Sequence, residues 1–497
     1  MIKVPQRSWR TQGALTAALA VSALAAPGVS AQTAEEFKQL KSLVEGMQKT
    51  IDAQNARIAE LEKGKATNQS VAVPGGAAAA SPSIRTVEKV AAGEMIGHQS
   101  PVTHRPALDD KQEAASRPKD FTLDPQYHGF IPVPNTPVLI KFNAKPHLDM
   151  TWDNTNPGNK NRFVPALFPL DGTPESGGGP QFHMNANATQ LRLDVRAPEL
   201  PGNLRFYYQN DFFGSGSDTG DMKYRVQHLY GQIYGFKGGF TYGVWEDPDT
   251  WPDTVDYEGP NAVIFSRRPV AQYTLAWDDN WNTTFGVEKP DIFVDLNSGP
   301  NPPTAAGSQL TRMPDLGFNT RYEKQGFGHL QFSTMFRDLG AKNALGQEQH
   351  VLGWGVNLGA GLDVFKTDSV QLLGVYGEGV GGMGNDTSFL NSDAAFDATG
   401  DLEALGYWSL AAGYTHRWNE QFRSTVTYGY VNLDNSSGQV PTFYHTSHYA
   451  SANLVWQLRK RLSVGLEGLY GFAEARNGDD SGNHWRVQLG LLYSLFD

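Results

Sequence analysis

Beyond Pro132 one pattern recurs to the end of the chain: stretches of roughly ten residues in which apolar and polar side chains alternate, separated by polar loops. Ile140, Phe142, Ala144, Leu148 and Met150 share one parity, and Lys141, Asn143, Lys145, His147 and Asp149 share the other. Leu191, Leu193 and Val195 likewise alternate with Arg192, Asp194 and Arg196, and Leu330, Phe332 and Phe336 with His329, Gln331, Ser333 and Arg337. A period of two is that of a strand with two chemically different faces, so helices are expected to be scarce in this region.

Sixteen such strands are expected, the first at 138–150, the fourth and fifth at 224–235 and 238–246, and the last at 484–495. The connections alternate in length: Ala197–Gly202 and Asp278–Asn280 are short, whereas Phe213–Lys223 and Pro290–Met313 are long. An even strand number with short turns on one rim and long loops on the other is the plan of an up-and-down transmembrane barrel. Alternation alone does not tell inside from outside. A soluble sandwich buries its apolar faces, and a pore presents them to lipid. Aromatic residues near strand ends, among them Trp277, Trp281, Trp408, Trp418, Trp456 and Tyr493, suit interfacial girdles. The fold class expected is therefore all-β, a 16-stranded antiparallel transmembrane β-barrel with an N-terminal α-helical coiled coil.

The coiled coil is expected upstream. Lys3, Arg7 and Arg10 precede an apolar run from Ala14 to Ala26, and Val29-Ser30-Ala31 offers a small-residue cleavage site, so residues 1–31 read as a signal peptide. Within 32–63, Phe37, Val44, Ile51 and Ile58 occupy one heptad position and Leu40, Met47, Gln54 and Leu61 the other, the seam of a coiled coil that joins copies of the chain. Residues 64–131, rich in Ala, Pro, Gly and Ser, read as a flexible linker, and 132–497 as the barrel.

A formal charge of −11 excludes a broadly nucleic-acid-binding surface, and the absence of Cys excludes disulfides and thiolate chemistry. No HExxH or GxxxxGK[ST] motif is present, so no enzyme activity, cofactor or required metal is expected. His147 with Asp149, and His228 near Tyr230, read as structural or pore-lining pairs. The cations on polar faces are the candidate selectivity residues: Lys141, Lys145, Arg192, Arg196, Arg205, Arg225, Arg267, Arg268, Arg321 and Arg337. Guanidinium forks suit carboxylates, and a staggered set of weak contacts lets a solute leave as well as enter. Arg225 shares its parity with Leu229 and Ile233, which requires a bulge or a shifted strand boundary. Residues 247–268 carry Asp247, Asp249, Asp253, Asp256 and Glu258 ahead of Arg267 and Arg268. As the third long connection this segment is a candidate inward-folded constriction; the alternative is an exposed acidic loop. Trp152–Ala188 and Gly381–Asp401 are expected outside, with Asp386, Asp393, Asp397 and Asp401 in solvent.

The stretches Ala188-Thr-Gln-Leu-Arg-Leu-Asp-Val-Arg196, Arg205-Phe-Tyr-Tyr-Gln-Asn-Asp-Phe212, Arg225-Val-Gln-His-Leu-Tyr-Gly231 and Thr241-Tyr-Gly-Val-Trp245 resemble the DcaP-like trimeric outer-membrane porins. The resemblance implies a homotrimer, a periplasmic N-terminal coiled coil and passage of small anionic organic solutes, dicarboxylates among them. It also implies contact with outer-membrane lipid or lipopolysaccharide. The ending Leu491-Leu-Tyr-Ser-Leu-Phe-Asp497 resembles an outer-membrane assembly signal, with Phe496 penultimate. The rival expectation is a secreted or cell-surface binding or adhesion β protein.

Overall fold

The computed structural model describes residues 127–214, 222–300, 308–343 and 345–495. The chain divides into a unit of Met1–Glu88 and one of Lys89–Asp497, and every described residue belongs to the second. The expected signal peptide, the seam from Phe37 to Leu61 and the terminal Phe496 lie outside the described residues.

Alternation becomes a sheet with a polar inside. In Gly406–Arg417, Ser409, Ala411 and Thr415 are buried while Leu410 and Tyr414 are exposed. The same division holds in Phe422–Leu433 and Leu462–Ala475, where Thr425 and Glu467 point in and Val426 and Leu466 point out. Leu204, Phe206, Phe285, Leu330, Leu358 and Trp485 extend the exposed apolar face around the molecule. A continuous outer surface of this kind is unfavourable in water and matches a hydrocarbon surround.

Among the described residues the sheet contains 20 strands and closes on itself. Successive strands pair antiparallel from Gln190–Ala197 through Leu462–Ala475 to Ser481–Tyr493, which returns to pair with His147–Asp153. Closure leaves no open edge, so backbone donors and acceptors are satisfied without water. Pro146 divides the first wall into Leu139–Lys145, paired with Gln190–Ala197, and His147–Asp153, paired with Gln181–Asn185 and Ser481–Tyr493. A proline has no N–H to give to a ladder, which accounts for a break at this position.

Several expected boundaries move. The strand placed at 189–196 has an upstream extension, Gln181–Asn185, inside what was expected to be an external loop. The strand placed at 238–246 is Phe236–Tyr242, and the chain turns inward from residue 243. Val294–Asp295, Ala394–Phe396 and Leu402–Ala404 form an additional three-stranded sheet from loop residues. Short segments such as these carry too few alternations to show a period.

The core lies inside the ring. Trp245, Trp251, Ala262, Val263 and Ile264 from loop 243–266 pack with Val380 and Met383 from loop 379–405 and with wall residues Met335, Val375 and Tyr407. The two loops also join through backbone: Phe265 N–H donates to Met383 at 2.9 Å and Asn385 N–H to Val263 at 2.8 Å. Loop 379–405 therefore folds inward, contrary to its expected external position, and Asp386 and Asp393 are buried rather than in solvent. Phe163 and Phe168, also expected outside, pack with Tyr449 and Leu469. Wall glycines make room for this interior. A Cβ on Gly413 would stand 2.6 Å from Pro252, and one on Gly355 would stand 2.8 Å from Trp245, both below van der Waals contact.

Candidate lumenal site

Loop 243–266 is fastened to the wall by its acidic residues. Arg321 meets Asp247 at 3.1 Å, Asp249 at 2.6 Å and Glu323 at 3.2 Å, while His329 adds a 3.0 Å contact to Asp247. Asp253 pairs with Arg423, and Glu258 with Arg162 at 3.1 Å. Carbonyls contribute as well: Gln331 donates to Glu246, Asn357 to Trp245 and Asn453 to Asp253. The acidic run is thus a strap crossing the interior, with Asp247, Asp249, Asp253 and Glu258 matched by cations that lie far away in sequence.

Burial alone would push the loop carboxyls up, and their partners decide the outcome. For Asp247 burial is outweighed by His329 and Arg321, which hold it below the usual carboxylate range. Asp256 moves the other way: burial, followed by the neighbouring Glu467, raises it well above that range. Its backbone N–H donates to Glu467 at 2.6 Å, and Tyr449 hydroxyl donates to its carboxylate at 3.4 Å. Glu246, buried near Glu288, is pushed up to about 8. Asp386, whose carboxylate accepts from Tyr444, Ser447 and the Ala166 amide, is pushed up by burial to about 6.

The ten basic candidates separate into groups. Lys141 donates to the His128 carbonyl at 3.1 Å, and Lys145 is buried beside the Pro146 break. Arg192 donates to Gln190 at 3.1 Å. Arg196 and Arg205 share Asp194, at 3.3 and 2.9 Å, and Arg205 also lies over the rings of Tyr207 and Tyr230. Arg225 is set by a bulge: Gln209 faces His228 and Asn210 faces Val226, leaving Gln227 as the extra residue. That turn brings Arg225 Nε within 2.9 Å of Asp211, where Gln227 and Tyr257 also donate. Arg268 and Arg337 lie 1% exposed around Asp315, at 2.8 and 3.0 Å, so they hold the interior together instead of facing open water. Arg267 differs from the paired arginines. It lies over Phe265 at 4.7 Å and Tyr242 at 5.6 Å and makes no ion pair among the described residues.

Beneath the strap lies an open cavity of about 160 Å³, lined by Tyr230, Lys237, Tyr242, Asp249, Arg321 and Glu323 among others. Lys237 was missed because the expected strand began at 238, one residue too late. Its parity with Thr241, opposite Phe236 and Phe240, is the signal that finds it. Arg162, Asp211, Tyr257 and Arg423 were also missed. Their partners lie tens to hundreds of residues away, and no local pattern announces them. His147 and Asp149 do form a local pair at 3.3 Å.

Asp247, Asp249 and His329 offer ligand atoms within 4.8 Å of one another, a geometry open to a metal ion. Arg321 already bonds both carboxylates, so a cation there would have to displace a guanidinium. The arrangement provides fixed charges on separate parts of the wall, at Arg321 and Arg423.

The family model described as DcaP outer membrane protein matches residues 132–494. Among solved structures, the outer membrane channel DcaP of Acinetobacter baumannii is similar at a TM-score of 0.61 and 18% identity, over 73% of this chain and 99% of that one. An anion-selective porin from Comamonas acidovorans aligns at a TM-score of 0.44 and 10% identity, over 72% of this chain and 100% of that one. Pseudomonas putida OprB aligns at 0.46 and 11%, over 72% and 94%. Among curated proteins nothing matches this sequence.

Proposed function

Because the chain belongs to the DcaP outer membrane protein family, we propose that it is a passive, non-enzymatic outer-membrane channel for small, preferentially anionic organic solutes such as dicarboxylates. The observation that carries this reading is a cluster of cations on one wall: Arg192, Arg205, Lys237 and Arg267 stand on a run of strands that pair in succession from Gln190–Ala197 to Arg267–Ala276. Neighbouring positive charges raise the local concentration of anions, and in a narrow, low-dielectric passage that effect is strong. A count of sixteen is supported when the collinear wall segments are joined and the short strands Ile131–Pro132 and Ser308–Leu310 are set aside.

Homotrimer assembly, aided by the seam at Phe37–Leu61, completes the reading. Leu204–Asp211, Arg225–Ile233 and Phe236–Tyr242 are only 8, 9 and 7 residues long. At about 3.3 Å per residue and a tilt near 40°, they span about 18–23 Å, less than the ~25 Å apolar band of an outer-membrane barrel. A neighbouring protomer supplies the missing cover, while the exposed apolar faces elsewhere meet lipid or lipopolysaccharide. Flux into liposomes tests the solute preference. Succinate should enter faster than a neutral sugar of similar size; equal rates through folded, inserted protein would remove the anionic preference.

A further inference from the structure

We propose that Lys237 and Arg267 are two successive carboxylate stations on the lumenal wall, each holding one carboxylate of a passing organic acid beside a tyrosine ring. The proposal rests on the channel reading above and adds to it the residues that handle the solute and the order in which they do so.

What sets these two cations apart is where their charge goes. Arg196, Arg205, Arg225, Arg268, Arg321 and Arg337 each meet an Asp or Glu. Among the described residues Lys237 and Arg267 form no such pair. Lys237 Nζ lies 5.4 Å from the centre of the Tyr230 ring, and Arg267 rests on Phe265 and Tyr242. A cation over a ring face is held in place while its N–H donors remain available, and a guanidinium resting on a ring keeps its in-plane fork for a carboxylate. Asp211, which feels the charge of Arg267, is already bound by Arg225, Gln227 and Tyr257. The neighbouring carboxylate therefore leaves Arg267 open to a mobile anion.

The register separates the two stations. Arg267 faces Tyr242 across the ladder and Lys237 faces Gln272, five positions further along; the odd offset gives them opposite parity, and Arg267 is tied to the interior by Phe265 and Tyr242, which pack against the inner core. Five residues of strand correspond to about 17 Å between backbones. The side chains rest on different rings, Tyr230 and Tyr242, with His228 between them at centroid distances of 6.5 and 5.0 Å. The separate attachment points and separate rings favour a relay with one carboxylate per station over a two-point clamp. A site that holds weakly and releases to the next is what conduction requires. The ring beside each cation offers a surface to the apolar body of an organic acid and nothing equivalent to an inorganic anion.

Benzoate and acetate currents through the intact protein in planar bilayers test the relay, with Lys237→Met, Arg267→Met and the double variant compared with wild type. Variants enter the comparison once heat-modifiable mobility shows a folded barrel, and Lys237→Gln and Arg267→Gln serve where a Met variant does not fold. Each single change should raise the half-saturating benzoate concentration about three- to fivefold, as for a weak exposed charge pair, and the effects should multiply in the double variant. Wild-type half-saturation should come at lower benzoate than acetate, and Lys237→Arg should stay near wild type. A double variant no worse than either single change would overturn two separate stations, and conducting variants unchanged from wild type would overturn both while leaving the channel reading intact. Equal half-saturation for benzoate and acetate would remove the ring's role, and absence of conductance from folded wild-type protein would overturn the stations together with the channel.

Discussion

Arg337→Met should destabilise the folded barrel by about 3–5 kcal/mol, the usual consequence of removing one partner from a buried ionic network. Arg337 donates from Nε to Asp315 at 3.0 Å, from Nη1 to the Gly379 carbonyl at 2.9 Å, and to the Asp291 carbonyl, and it pairs with Asp393 at 3.0 Å. Its side chain therefore ties the wall to both 289–300 and the inward loop 379–405. Asp315 keeps Arg268 in the variant, but Asp393 keeps only the amides of Gly382 and Phe293 among its hydrogen-bond donors. Burial already raises Asp393 against the pull of Arg337, so loss of that cation favours its protonated form further. Urea titration of the heat-resistant folded band reads the loss. An unchanged midpoint and slope would show that the network contributes nothing net.

A second large effect is expected on the opposite face. Leu358 stands 62% exposed near the middle of Glu348–Val364, while its neighbour Asn357 points inward and holds the Trp245 carbonyl. Leu358→Arg should cost about 2–4 kcal/mol in a bilayer, because a cation at the midplane of the lipid face loses its water. For a soluble sheet protein the same exposed substitution would stay within about ±0.5 kcal/mol. Folding titrations in lipid vesicles separate the two. A shift inside the smaller range would contradict a lipid-facing surface at this position.

These two residues also mark what the sequence reveals and what it conceals. Alternation around Leu330, Phe332 and Phe336 identifies strands because the side-chain period of a strand is two, and paired parity persists over many residues. The same parity is symmetric between a pore and a sandwich, so the outward position of Leu358 emerges only once the ring of pairings closes. The bulge required by Arg225 was legible as a conflict with Leu229 and Ile233, and Gln227 resolves it. The strap's partners were hidden for a different reason. Asp247 meets Arg321, and Asp253 meets Arg423, across 74 and 170 residues. Such pairs follow from closure of the ring and carry no local period. Lys237 shows the cost of a small error at a glycine-rich strand end, where Gly238 and Gly239 leave few side chains to mark the alternation.

The proposed anion preference is read by the reversal potential of the mature protein in planar bilayers under a salt gradient, with an Arg192/Arg205 charge-neutralised double variant beside it. Discrete ohmic steps whose reversal potential favours the anion, by a margin that shrinks in the double variant, are the predicted result; steps that favour the cation, or a potential indifferent to both arginines, would contradict it.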